Sequence, residues 1–127
     1  MAKQLAGKMD IESQLLQAEY IYQENGQWEA AFEVYRNLFL TEIEFASPPE
    51  QRQVYMGLSR CAYEMQEYDR AIQMGMVALE MNRHFPQAHK YVALAQKAIG
   101  DCDAAKATMT RAVLYEAPWD DNNLESN

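Results

Sequence analysis

Gln66–Leu79, QEYDRAIQMGMVAL, is followed downstream by a second version of itself, Gly100–Val113, GDCDAAKATMTRAV. Superimposed, the two align Asp69 with Asp103, Ala71 with Ala105, Ala78 with Ala112 and Leu79 with Val113. A third version lies upstream at Gly26–Phe39, GQWEAAFEVYRNLF, where Trp28 matches Tyr68, Glu29 matches Asp69, Ala31 matches Ala71 and Phe39 matches Leu79. Each version reads as a turn, an aromatic or its replacement, a small residue three positions on, and apolar residues two turns further. Small residues at fixed helical positions let a neighbouring helix approach closely. The offset from Ala71 to Ala105 is the period of about 34 residues that stacked helix–turn–helix units keep.

Residues between the copies extend the pattern. Ile11, Leu15, Ala18 and Tyr22 recur at three- and four-residue spacing, which predicts an amphipathic helix starting at Asp10 and stopping at Asn25-Gly26. A second helix is expected from about Gln27 into the low forties, with Ala31, Val34, Tyr35, Leu38 and Phe39 inward. Ser47-Pro48-Pro49-Glu50 has the form of a capping box with proline at the first helical position, predicting a third helix from Ser47 to about Met65. The remaining helices are expected over 68–82, from Pro86 to Ile99, and from a cap at Asp101 to about Ala117. The step from Ala31 to Ala71 is six positions longer than the step from Ala71 to Ala105. The extra positions are therefore expected to lengthen one or both of the helices flanking 45–51.

At these residues the chain resembles the tetratricopeptide repeat (TPR) family. With Ala31, Ala71 and Ala105 at position 20 of each unit, the units begin at Glu12, Arg52 and Pro86. Leu58-Ser59 and Val92-Ala93 fill positions 7–8, Tyr22 fills 11, Gly26 and Gly100 fill 15, Trp28 and Tyr68 fill 17, and Ala78 and Ala112 fill 27. Gln66 stands where the turn glycine is expected, Cys102 replaces an aromatic, and Leu38 replaces an alanine. The resemblance implies an all-α fold, a right-handed α-solenoid of three helix–turn–helix repeats. It implies a single domain over 1–127: repeat 1 at about 12–45, a longer connection at about 45–51, repeat 2 at about 52–85, repeat 3 at about 86–118, and an acidic tail at 119–127.

Composition agrees with a compact helical chain. Of 127 residues, 49% are hydrophobic and 24% charged, with five Gly and four Pro. The net charge of −8 is uneven: residues 1–50 carry −6, 51–100 carry +2 and 101–127 carry −4. An acidic chain repels phosphate backbones, so no nucleic-acid partner is expected. No apolar run reaches the roughly 18–20 residues of a membrane span, and MAKQLAGKMD has no apolar core of a secretory signal. A cytoplasmic location is expected, with no membrane partner.

Two cysteines make neither a disulfide framework nor a paired zinc motif. Cys61 and Cys102 read as small apolar fillers, and His84 and His89, five apart, suit no metal site. No phosphate-binding loop or nucleophile constellation occurs. The expectation is a non-enzyme with no catalytic residue, no cofactor and no metal.

In proteins this chain resembles, ligand peptides touch positions 2, 5, 9 and 12 of the first helix of each unit. Carried over, these are Ser13, Leu16, Tyr20 and Gln23; Gln53, Met56, Arg60 and Tyr63; and Gln87, Lys90, Leu94 and Lys97. The peptide-binding candidates are Leu16, Tyr20, Met56, Arg60, Tyr63, Lys90, Leu94 and Lys97. Apolar anchors beside cations suit a protein or peptide segment carrying apolar and acidic residues. Members that clamp the C-terminal carboxylate of heat-shock chaperones place Lys, Asn and Arg where this chain has Ser13, Gln17, Gly57, Gln87 and Tyr91, so that clamp is not expected. The implied function is a protein–protein adaptor or assembly factor, as monomer or weak dimer. The alternatives are a dedicated chaperone of an exported protein, or a structural subunit assembling through its end faces. At the C-terminal end, Thr108, Arg111, Ala112 and Tyr115 are expected to face outward, with Trp119 lying against the last helix.

Overall fold

The computed structural model describes residues 11–115, with the side chain of Tyr115 excepted. Every regular element among them is helical. Six helices follow one another: α1 (residues 11–23), α2 (Trp28–Thr41), α3 (Pro48–Glu64), α4 (Tyr68–Met81), α5 (Pro86–Ala98) and α6 (Cys102–Tyr115), with a short 3₁₀ turn at Ile43–Phe45. Each helix packs on the next in the chain, and α3 also touches α5. The expected start at Asp10, the end near Ala117, Trp119 and the tail lie outside the described residues.

Local signals place the ends. Ser47 Oγ accepts from the Glu50 N–H and Glu50 Oε1 accepts from the Ser47 N–H at 2.9 Å, completing the capping box of α3. Asp101 Oδ1 accepts from the Ala104 N–H at 3.1 Å at the start of α6. The turns α1–α2, α3–α4 and α5–α6 share one hydrogen-bond pattern. The amides of Gly26, Gln66 and Gly100 each bond three residues back at 3.0 Å, and the next amide bonds five residues back at 2.8–2.9 Å. This is the Schellman termination, which needs a left-handed residue. Gly26 (φ 70°) and Gly100 (φ 88°) supply it freely, whereas Gln66 adopts φ 66° with a side chain.

The extra positions between the first two copies divide between α3 and the connection before it. α3 has 17 residues against 13 in α5, while α2, α4 and α6 have 14 each. The connection carries the 3₁₀ turn, held by Gln51 Nε2, which donates to the carbonyls of Ile43 and Ala46.

The core follows the small-residue pattern. Ala31, Ala71, Ala78 and Ala112 are fully buried, as are Ile11, Leu38, Val54, Cys61 and Val92. Ser59 Oγ donates to the Ala71 carbonyl at 2.7 Å, and Thr108 Oγ1 donates to Gln96 Oε1 at 2.5 Å. Three local expectations change. Cys102 is exposed rather than filling a core site. Thr108 and Ala112 are buried, Thr108 being turned toward α5, so of the expected outward residues Arg111 is exposed and is joined by Val113 and Leu114. The second half of α1, Gln17–Gln23, is π-helical. Its inward residues run Ile11, Leu15, Ala18 and then Gln23, and the last step of five residues suits the wider π turn.

Candidate functional site

Along α3, Gln53, Met56, Gly57 and Arg60 fall at i, i+3, i+4 and i+7, one helical face. Gly57 lets another side chain lie flat across that face. A Cβ there would sit 2.3 Å from the Tyr35 ring. The Tyr35 hydroxyl reaches across to α1 and donates to Gln23 Oε1 at 2.5 Å, so one tyrosine of α2 ties α1 to α3. Burial holds that hydroxyl protonated well above a tyrosine's ordinary 10.0. Cys61 and Glu19 act in the same sense, and Arg60 opposes them.

Between α1, α2, α3 and the start of α5 lies a recess of about 270 Å³, lined by Glu19, Gln23, Tyr35, Gln53, Met56, Gly57, Arg60, Phe85 and Gln87. Arg60 is the cation of this lining. The guanidinium carbon lies 5.2 Å from the Trp28 ring centroid and 5.8 Å from that of Tyr91, cation–π distances on both. Arg60 Nε is buried and has no hydrogen-bond partner. Tyr91 also has the Lys90 ammonium 5.5 Å from its centroid and the Tyr63 ring at 5.8 Å. Burial raises the Tyr91 hydroxyl above 10.0, against the pull of Arg60.

The candidates named from the sequence divide into three groups. Met56 and Arg60 line the recess, together with Gln23, Gln53 and Gln87 from the same set of positions. Met56 is only 7% exposed, packed with Ala78, Ala88 and Tyr91, so it offers an edge rather than a free anchor. Tyr63 and Leu94 are half-buried, Tyr63 against Tyr68 and Tyr91 and Leu94 against the Met56 cluster. Leu16 and Tyr20 are exposed on α1, 51% and 57%, and Lys90 and Lys97 are exposed on α5. The sequence positions missed Glu19, Trp28, Tyr35, Phe85 and Tyr91. The signal available for Tyr35 was the glycine facing it; the others carry none at this range.

A larger, shallower recess of about 460 Å³ lies at the α3–α4 turn, lined by Glu67, Tyr68, Asp69, Arg70 and Ile99 among others. Its cation is already paired, Arg70 with Glu67 at 3.1 Å, which leaves the Arg60 recess the better candidate. Among the described residues no three His, Cys, Asp or Glu side chains gather as a metal ion would need, and no helix is long and apolar enough to cross a membrane. The Cys61 thiol, pushed up to about 12 by burial, is a poor nucleophile at neutral pH. Comparison with protein-family models, with characterised proteins and with solved structures finds no match for this chain.

Proposed function

We propose that the chain is a right-handed α-solenoid of three TPR-like helix pairs, acting without catalysis as a cytoplasmic adaptor or assembly factor. Its partner is a protein segment carrying apolar and acidic residues. The segment lies across the first helices of the pairs, over Leu16 and Tyr20, the Arg60 recess, Lys90, Leu94 and Lys97. The observation that carries this reading is the Arg60 recess itself. It gathers side chains from α1, α3 and α5, the first helix of each proposed pair, into one concavity. Identical termination at Gly26, Gln66 and Gly100 supports the pairing of helices.

The test is partner capture followed by charge reversal. Lys90→Glu should weaken a captured partner at least several-fold while moving thermal stability by less than about 0.5 kcal/mol, since Lys90 is exposed. Unchanged affinity would remove the groove from the interaction.

A second reading, a structural subunit joined through its ends, is favoured by Val113 and Leu114 exposed on α6. Sedimentation separates the two. The adaptor is a monomer or weak dimer at micromolar concentration, and the subunit is a tight oligomer broken by Leu114→Lys.

A further inference from the structure

We propose that Arg60 is the receptor for one carboxylate side chain, aspartate or glutamate, of the bound segment. The inference rests on the groove reading above and sharpens it to one residue. The described ion pairs, Arg36–Glu33 and Arg70–Glu67, leave Arg60 out. Its Nε–H is closed off from water without an acceptor. Folded proteins seldom keep a buried donor unmet, which marks Arg60 as short of an anionic partner among the described residues. A carboxylate entering the recess meets the guanidinium from the recess side and takes its Nη–H donors, whose planar fork suits a carboxylate.

The surroundings hold the receptor ready. Trp28 and Tyr91, with ring centroids 5.2 and 5.8 Å from the guanidinium carbon, hold the cation in place, and the Tyr91 hydroxyl also engages it. Gln23, Gln53 and Gln87 line the same recess. Gln23 has its orientation set, because its Oε1 already accepts from the protonated Tyr35 hydroxyl and its amide nitrogen remains to donate. The recess has one acidic residue in its lining, Glu19 on α1, and Glu64 follows Arg60 by one turn on α3. Neither is within ion-pair distance of Arg60, and Glu19 tempers the site. The occupant is a side chain rather than a chain terminus because the surface continues on both flanks. Exposed Tyr20 lies next to Glu19 on α1, and Lys90 and Leu94 lie beyond Gln87 on α5.

Three probes test this on the full chain: a blocked peptide (acetylated and amidated) of alternating leucine and glutamate, its blocked leucine–glutamine counterpart, and the leucine–glutamine peptide with a free C-terminal carboxylate. Affinity and the nitrogen-15 NMR signal of the Arg60 Nε–H are followed together. The glutamate peptide should bind about tenfold more tightly than the blocked glutamine peptide and shift the Arg60 Nε–H signal. Arg60→Gln, checked for an unchanged helical spectrum, should bind the two blocked peptides alike. Arg60→Lys should keep only part of the preference, and Glu19→Gln should strengthen it. A preference surviving in Arg60→Gln overturns the proposal. So does an Arg60 signal that responds only to the free C-terminus. If both blocked peptides bind equally and move the Lys90 and Leu94 signals, the groove stands and the Arg60 receptor falls. If no peptide moves any of these signals, the groove reading falls and takes the receptor with it.

Discussion

The pairs α3–α4 and α5–α6 carry the same sequence pattern, one repeat apart, yet they are packed differently. Ala71 on α4 is fully buried, and its carbonyl takes the Ser59 hydroxyl; Ala105, its counterpart on α6, is half-buried. Gly75 on α4 stands so close to its neighbours that a Cβ would meet Val92 Cγ2 at 2.4 Å and Ser59 Oγ at 3.2 Å. The corresponding residue of α6 is Met109, half-buried. α4 is pressed between α3 and α5, while α6 packs on α5. Equal positions in a repeat are therefore not equal in energy. What a small residue contributes depends on whether a helix stands on each side of it.

The largest test of that difference is a pair of enlargements. Ala71→Leu should overpack the middle of the molecule and cost about 3 kcal/mol, the upper end of such changes. Ala105→Leu, at a half-buried position, should cost about 1 kcal/mol, the lower end. Urea unfolding of the two variants measures both, and equal losses would abolish the distinction between middle and end.

Alkali should probe the same interior. The folded chain holds the Cys61 thiol up at about 12 against an ordinary 9.0, and the Tyr35 and Tyr91 hydroxyls above 10.0, chiefly through burial. Above pH 9 the unfolded chain releases protons that the folded chain still keeps. Stability therefore falls as pH rises, toward about 12 for Cys61, by up to about 1.4 kcal/mol per pH unit for each group. Urea unfolding from pH 8 to 10.5 should show the decline, and Cys61→Ala should make it shallower. A slope unchanged by that substitution would mean that Cys61 is not what alkali attacks.

The smallest effects belong to the turns. Gln66→Gly should stabilise by up to about 1 kcal/mol, relieving a side chain at φ 66°, whereas Gly100→Ala should destabilise by about 1 kcal/mol through φ 88° alone, since no atom lies within 4 Å of the added Cβ. Thermal melts of the two variants should move in opposite directions. Shifts of the same sign would mean that the terminations, though alike in their hydrogen bonds, are not alike in strain.

What the sequence determined by itself is what neighbours in the chain decide. A capping box at Ser47 and Glu50, a cap at Asp101 and left-handed residues at 26, 66 and 100 act over three to five residues, so the ends of α2 to α5 and the start of α6 fell within a residue or two of expectation. The apolar spacing likewise marked Ile11, Leu15, Ala18, Ala31, Leu38, Ala71 and Ala78 as inward. The tertiary structure alone decided which of those positions are gripped from two sides. It set the π-helical turn of α1, where Gln23 is drawn in to meet Tyr35, and it left Cys102 in solvent while burying Thr108. It also sank Met56 into the core and closed Trp28 and Tyr91 over Arg60. Periodicity names the face a residue occupies; how deeply that face is covered depends on helices elsewhere in the chain, and no local pattern records their distance.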